Sequence, residues 1–164
     1  MSDAVKVAVQ IATSDDEIPA GVRWTEWVQA AVAAAEIDVR VSGCVTLRLV
    51  GRDESQYLNE MYRHKLGPTN VLAFPGPTDA VVPEVDRELG DLVVCLPVVH
   101  DEAGQQGKPV LAHLAHMIVH GTLHLSGFDH DDSAAAARME ALETLVMTGL
   151  GFAAPYESDA AASG

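Results

Sequence analysis

Apolar residues Val5, Val7, Val9 and Ile11 alternate with Lys6, Ala8 and Gln10, the two-residue period of a half-buried strand. After an acidic, proline-containing turn, Trp24, Val28, Ala31, Val32 and Ala35 recur at helical spacing, which predicts a helix with its tryptophans in the core. Val45, Leu47 and Leu49 then alternate with Thr46 and Arg48 to give a second strand. Strand, helix and strand in this order predict a right-handed crossover with parallel pairing. Asp53 is the expected N-cap of a second helix, with Tyr57, Leu58, Met61 and Tyr62 on its apolar side and an end near Gly67 and Pro68. Residues 70–74 read as a short buried strand, residues 78–88 as an acidic loop and residues 89–96 as a fourth strand. A connection without a helix predicts antiparallel pairing of the last two strands.

Beyond the strands the pattern is helical throughout. A short helix near residues 97–106 precedes a second that starts at Pro109 and runs to Leu125. The second is apolar nearly all round through Leu114, Met117, Ile118, Val119 and Leu123, as expected of a buried helix. A last helix follows Ser133, with Met139, Leu142, Leu145 and Val146 expected inward and Arg138, Glu140 and Glu143 outward. The expected fold is α+β, a small mixed four-stranded sheet (βαβαββ, then helices) packed against a helical layer with a central buried helix. Residues 1–154 form a single domain in this reading, and residues 155–164, small and polar, a disordered tail.

Composition narrows the possibilities. A chain of 164 residues that is 48% hydrophobic can bury one substantial core. Neither a cationic, apolar leader nor 18 uninterrupted apolar residues occurs, so a cytoplasmic protein with no membrane partner is expected. Cys44 and Cys95 lack C-x-x-C spacing and read as reduced core residues. The net charge of −14 argues against a general nucleic-acid binder. Residues 40–65 nevertheless carry five basic side chains (Arg40, Arg48, Arg52, Arg63, Lys65) against three acidic ones, which allows a local basic lane on an acidic body.

The candidate chemistry lies in residues 120–130. His120 and His124 are four apart on the buried helix and so face the same way. Gly127 can turn the chain left-handed and bring His130 to the same ion. Three imidazoles that leave a fourth position open are the mark of a catalytic zinc, so one Zn²⁺ per chain is expected. The offsets also match those of the metzincin proteases, except that Gly121 stands where the general-base glutamate belongs. A zinc peptidase is therefore a weaker alternative. His116 lies on about the same face as His120, and with Asp91 and Asp129 it is a candidate to accept or relay hydrogen bonds behind the ligands.

The run from His120 to His130 (HGTLHLSGFDH), Asn59-Glu-Met-Tyr-Arg63, Pro68-Thr-Asn-Val-Leu-Ala-Phe-Pro75 and Leu89-Gly90-Asp91 together resemble the YbeY-type bacterial endoribonucleases over residues 45–156. The resemblance implies an α+β fold, a single zinc held by His120, His124 and His130, and a functionally important arginine at Arg63. It also implies single-strand RNA cleavage, 16S ribosomal RNA 3′-end maturation and ribosome quality control, with ribosomal RNA, small-subunit proteins and assembly proteins as partners. On this reading Arg63 binds the reacting phosphate and Lys65 a neighbouring one. Two positions depart from the family pattern: Phe128 stands where a tyrosine is usual and Ala73 where a serine is common. A further alternative is a non-catalytic ribosome-assembly factor whose metal stabilises the fold.

Overall fold

The computed structural model describes residues 5–35, 43–76, 87–128 and 132–156. Four strands, β1 (Val5–Ala12), β2 (Gly43–Val50), β3 (Val71–Pro75) and β4 (Arg87–Cys95), form one sheet in the order β1-β2-β4-β3. β1 and β4 each run parallel to β2, and β3 lies antiparallel to β4 at the edge. The helices are α1 (Trp24–Ala34), α2 (Arg52–Arg63), α3 (Leu96–Gln106), α4 (Val110–Leu125) and α5 (Ser133–Gly149). The expected mixed sheet, its pairing directions and the helical layer are all present.

Strand parity splits the core in two. Val45, Leu47 and Leu49 of β2 and Leu92 and Val94 of β4 face α1, α4 and α5 in the main core, around Trp27, Leu114, Ile118 and Leu123. Val50, Leu72, Val93 and Cys95 form a smaller core on the opposite face with Leu58 and Phe74. α4 is buried along most of its length, so it is a rigid platform inside the main core. Among the described residues no helix is long and apolar enough to cross a membrane.

Glycine is required where α4 and β4 meet. Gly90 has φ +144°, and a Cβ there would lie 2.5 Å from the Phe74 carbonyl oxygen and 2.6 Å from Leu125. The Leu89-Gly90-Asp91 motif thus has a packing reason. Gly90→Ala combines overpacking, which costs about 1–3 kcal/mol, with a strained backbone, which costs about 1–3 kcal/mol. Chemical denaturation should show a loss of at least about 2 kcal/mol; an unchanged midpoint would refute this assignment.

Several expected faces are corrected. Tyr57, Met61 and Tyr62 are more than half exposed, and α2 instead buries Ser55 and Asn59. The reason is the loop that follows: Ser55 Oγ donates to the Thr69 carbonyl at 2.8 Å and accepts from Thr69 N at 2.9 Å, and Asn59 Nδ2 donates to the Gly67 carbonyl at 2.9 Å. The N-cap position of α2 is Gly51, with Asp53 inside the first turn. At the edge of the sheet, Val9 and Ile11 are exposed rather than half-buried. In α5 the inward stripe is Met139, Glu143, Val146 and Met147, with Leu145 exposed. The expected tail begins too early: Pro155 is buried and its carbonyl accepts from Lys108 Nζ at 3.1 Å, so the domain reaches at least Tyr156. Residues 157–164 lie outside the described residues.

Candidate metal centre and phosphate site

The site is assembled where α4, β3 and the C-terminal end of α2 converge. His120 and His124 lie one turn apart on α4, with ring centroids 4.7 Å apart and planes at 81°. Both line a cavity of about 690 Å³, together with Arg63, Lys65, Asn70 and Phe128. The helix ends just beyond: Gly127 has φ +100° and Phe128 N donates to the Leu123 carbonyl at 3.0 Å, the left-handed termination that the glycine predicts. His130 and Asp129 lie outside the described residues.

His120 is held from behind by a buried carboxylate. His120 Nδ1 meets Glu143 Oε2 at 2.9 Å; an ionised carboxylate only accepts, so the ring donates through Nδ1 and keeps Nε2 as its acceptor nitrogen. A ligating imidazole typically has such a carboxylate on its second nitrogen. Glu143 is 1% exposed, and its Oε1 also takes His116 Nε2 at 2.5 Å and Tyr156 OH at 2.6 Å. Burial opposes its ionisation, but the hydrogen bonds from His116, His120 and Tyr156 and the charge of His120 outweigh it and hold the carboxyl at about 2.

The residues of α2 reach the cavity through a tied loop. His64 caps the helix in the left-handed conformation at φ 57°, Lys65 N donates to the Asn59 carbonyl at 3.3 Å, and Gly67 N donates to Glu60 Oε2 at 3.2 Å. Arg63 and Lys65 are thereby presented at the rim, both exposed. Neither has a carboxylate within ion-pair distance among the described residues. The other cations of the expected basic lane are spent elsewhere: Arg48 pairs with Glu54 at 2.5 Å and Arg52 with Asp101 at 2.6 Å, while Arg40 lies outside the described residues. Among the described residues the lane therefore contracts to Arg63 and Lys65.

The opposite wall belongs to β3. Asn70 donates to Glu102 Oε1 at 3.0 Å, the same oxygen that His113 Nε2 meets at 2.8 Å, which anchors the strand start to α3 and α4. Ala73 and Phe128, the two departures from the family pattern, both line the cavity. Asp91 does not: it is exposed in a second cavity, with Arg48, Tyr62 and Phe74, on the other face of the sheet. His116 does reach the site, through the carboxylate it shares with His120. Glu143 is the site residue that the sequence reading missed.

At Gly121 a Cβ would lie 2.8 Å from a Leu92 methyl and 3.3 Å from a Val71 methyl, so a glutamate in the place that zinc proteases give it would require these side chains to shift. Against this geometry, the model of one family, described as endoribonuclease YbeY, matches residues 9–151. The chain belongs to the endoribonuclease YbeY family. Proteins of that name from Methylococcus capsulatus and Coxiella burnetii are 48% and 43% identical to it, over 87% and 93% of this chain and 90% and 99% of their own. The solution structure of a Thermotoga maritima protein, 21% identical, superposes with a TM-score of 0.52 over 88% of this chain and 91% of that one, and supports the same fold.

Proposed function

We propose that this YbeY family member is a zinc-dependent endoribonuclease that cleaves single-stranded RNA. The observation that carries the reading is the convergence of His120, His124, Arg63 and Lys65 on one cavity in a chain of an endoribonuclease family. His120 and His124, with His130, would hold the ion. Bound zinc lowers the pKa of a coordinated water from about 15.7 toward about 7, which supplies hydroxide near neutral pH without a carboxylate base.

The chain's own residues do the rest. The planar fork of Arg63 binds two oxygens of the reacting phosphate and stabilises the charge that develops on them. Lys65 takes an adjacent phosphate, which fixes the strand's direction across the rim. Glu143 has no place in the cavity lining, so it does not reach the substrate. Gly121 stands where a peptidase has its general-base glutamate, and two rim cations with no ion-pair partner among the described residues disfavour a metal that serves the fold alone.

The cavity floor is a buried helix, so a substrate must bend into it. A single strand can do this and a duplex is stiffer. A defined RNA should be cut internally when single-stranded and at least tenfold more slowly when annealed to its complement; equal rates would overturn the specificity.

Within the cell we assign the activity to 16S ribosomal RNA 3′-end maturation and ribosome quality control, in the cytoplasm. The charge balance supports a route through protein partners. A body of net charge −14 repels naked RNA at long range, but is complementary to the basic proteins that coat ribosomal RNA. Small-subunit and assembly proteins are the partners this predicts.

A further inference from the structure

The buried carboxylate of Glu143 lies behind His120, away from the residues that line the cavity. A carboxylate left uncompensated inside a protein is strongly disfavoured, and a helix that needed only packing at position 143 would carry an apolar residue like its neighbours Met139, Val146 and Met147. The carboxylate is instead compensated by three side chains from two elements: His116 and His120 of α4, and Tyr156 of the C-terminal segment. The two oxygens are divided. Oε2 meets His120, whereas Oε1 meets His116 and Tyr156. The segment that brings Tyr156 is itself fastened by the Lys108–Pro155 hydrogen bond.

We infer that Glu143 is the positioning residue of the metal centre: through Oε2 it holds His120 as the Nδ1–H tautomer with Nε2 presented to the ion, and through Oε1 it is itself fixed by Tyr156 and His116. This inference rests on the proposed zinc site. One negative charge below the ligand pair also offsets part of the ion's charge and makes the His120 ring a better donor. Tyr156 is thereby a functional element of the site, although 36 residues separate it from His120 along the chain.

The test uses the full chain with zinc alone as the probe. Zinc affinity is measured by competition with a chelating indicator, and the tautomer of His120 is read from imidazole ¹⁵N shifts of the metal-free protein. Glu143→Ala should weaken zinc about 10–100-fold, the usual cost of losing such a partner, and release His120 from the Nδ1–H form. Glu143→Gln, which keeps an acceptor and loses the charge, should restore the tautomer and part of the affinity. Tyr156→Phe should cost a few-fold in affinity with the tautomer retained. A packing role would leave the tautomer unmoved. Zinc affinity in Glu143→Ala equal to the parent's overturns the inference; if that variant does not fold, equal affinity in Glu143→Gln does so. A parent chain that binds no zinc overturns the metal centre itself, which separates the two failures.

Discussion

His124→Ala is expected to abolish stoichiometric zinc and to reduce cleavage of single-stranded RNA by about three orders of magnitude or more. A zinc held by the histidines would supply several kcal/mol of charge stabilisation and activate the attacking water, and each 1.4 kcal/mol is about tenfold in rate. His124 lies at the C-terminal end of α4, half-buried in the cavity wall, so its removal empties no core position, and the metal-free variant should unfold at about the temperature of the metal-free parent. Metal analysis, a cleavage assay and a melting curve on one preparation decide the matter. A variant that loses zinc and stability yet keeps the parent's cleavage rate would make the metal a structural element and return the chain to the assembly-factor reading.

Arg63→Ala is the second large effect. Arg63 is exposed, unpaired among the described residues and on the same cavity as the histidines, while Arg48 and Arg52 are neutralised by carboxylates. Among the described residues it and Lys65 are thus the cations that, on the proposed function, would offset an acidic body at the reacting phosphate. Loss of a preorganised donor to developing charge costs about 2–4 kcal/mol, or about 30- to 1,000-fold in kcat/KM, with zinc content and fold unchanged. Arg63→Lys should also lose most of the rate, because an ammonium cannot reproduce the planar fork. Activity equal to the parent's in Arg63→Ala would leave Arg63 an ordinary surface residue.

How much of this was legible before folding differs from residue to residue. His120, His124 and Gly127 could be placed because helix geometry alone fixes their mutual orientation. The direction of strand pairing followed from connection length. α2 was misread because its burial is polar: Ser55 and Asn59 are inside to bind the backbone of the loop that carries Arg63 and Lys65, which no hydrophobic period encodes. Glu143 was assigned to solvent on its charge, although it stands four residues after Met139 and three before Val146 and so falls on the inward stripe. The available signal was a carboxylate on an apolar stripe opposite a histidine-bearing helix. Asp91 could have been excluded by strand parity, since Leu92 points to α4 and its neighbour must point away.

The departures at Ala73 and Phe128 acquire a meaning only in three dimensions. Both are in the cavity wall, so the wall presents a methyl and a phenyl group at the two positions where the resemblance implies hydroxyls. On the proposed function, a substrate would meet apolar groups at these two positions and the phosphate contacts would fall to Arg63 and Lys65.

The central claim, that one zinc in the His120–His124 cavity drives RNA hydrolysis, is tested most directly by removing and restoring the metal. Full-length protein of measured zinc content is incubated with a defined single-stranded RNA, then stripped with a chelator, freed of the chelator and given one equivalent of zinc. Internal cleavage should track zinc occupancy, vanish in the stripped protein and return at one equivalent. Undiminished cleavage by stripped protein, or none by protein carrying one zinc per chain, would contradict it.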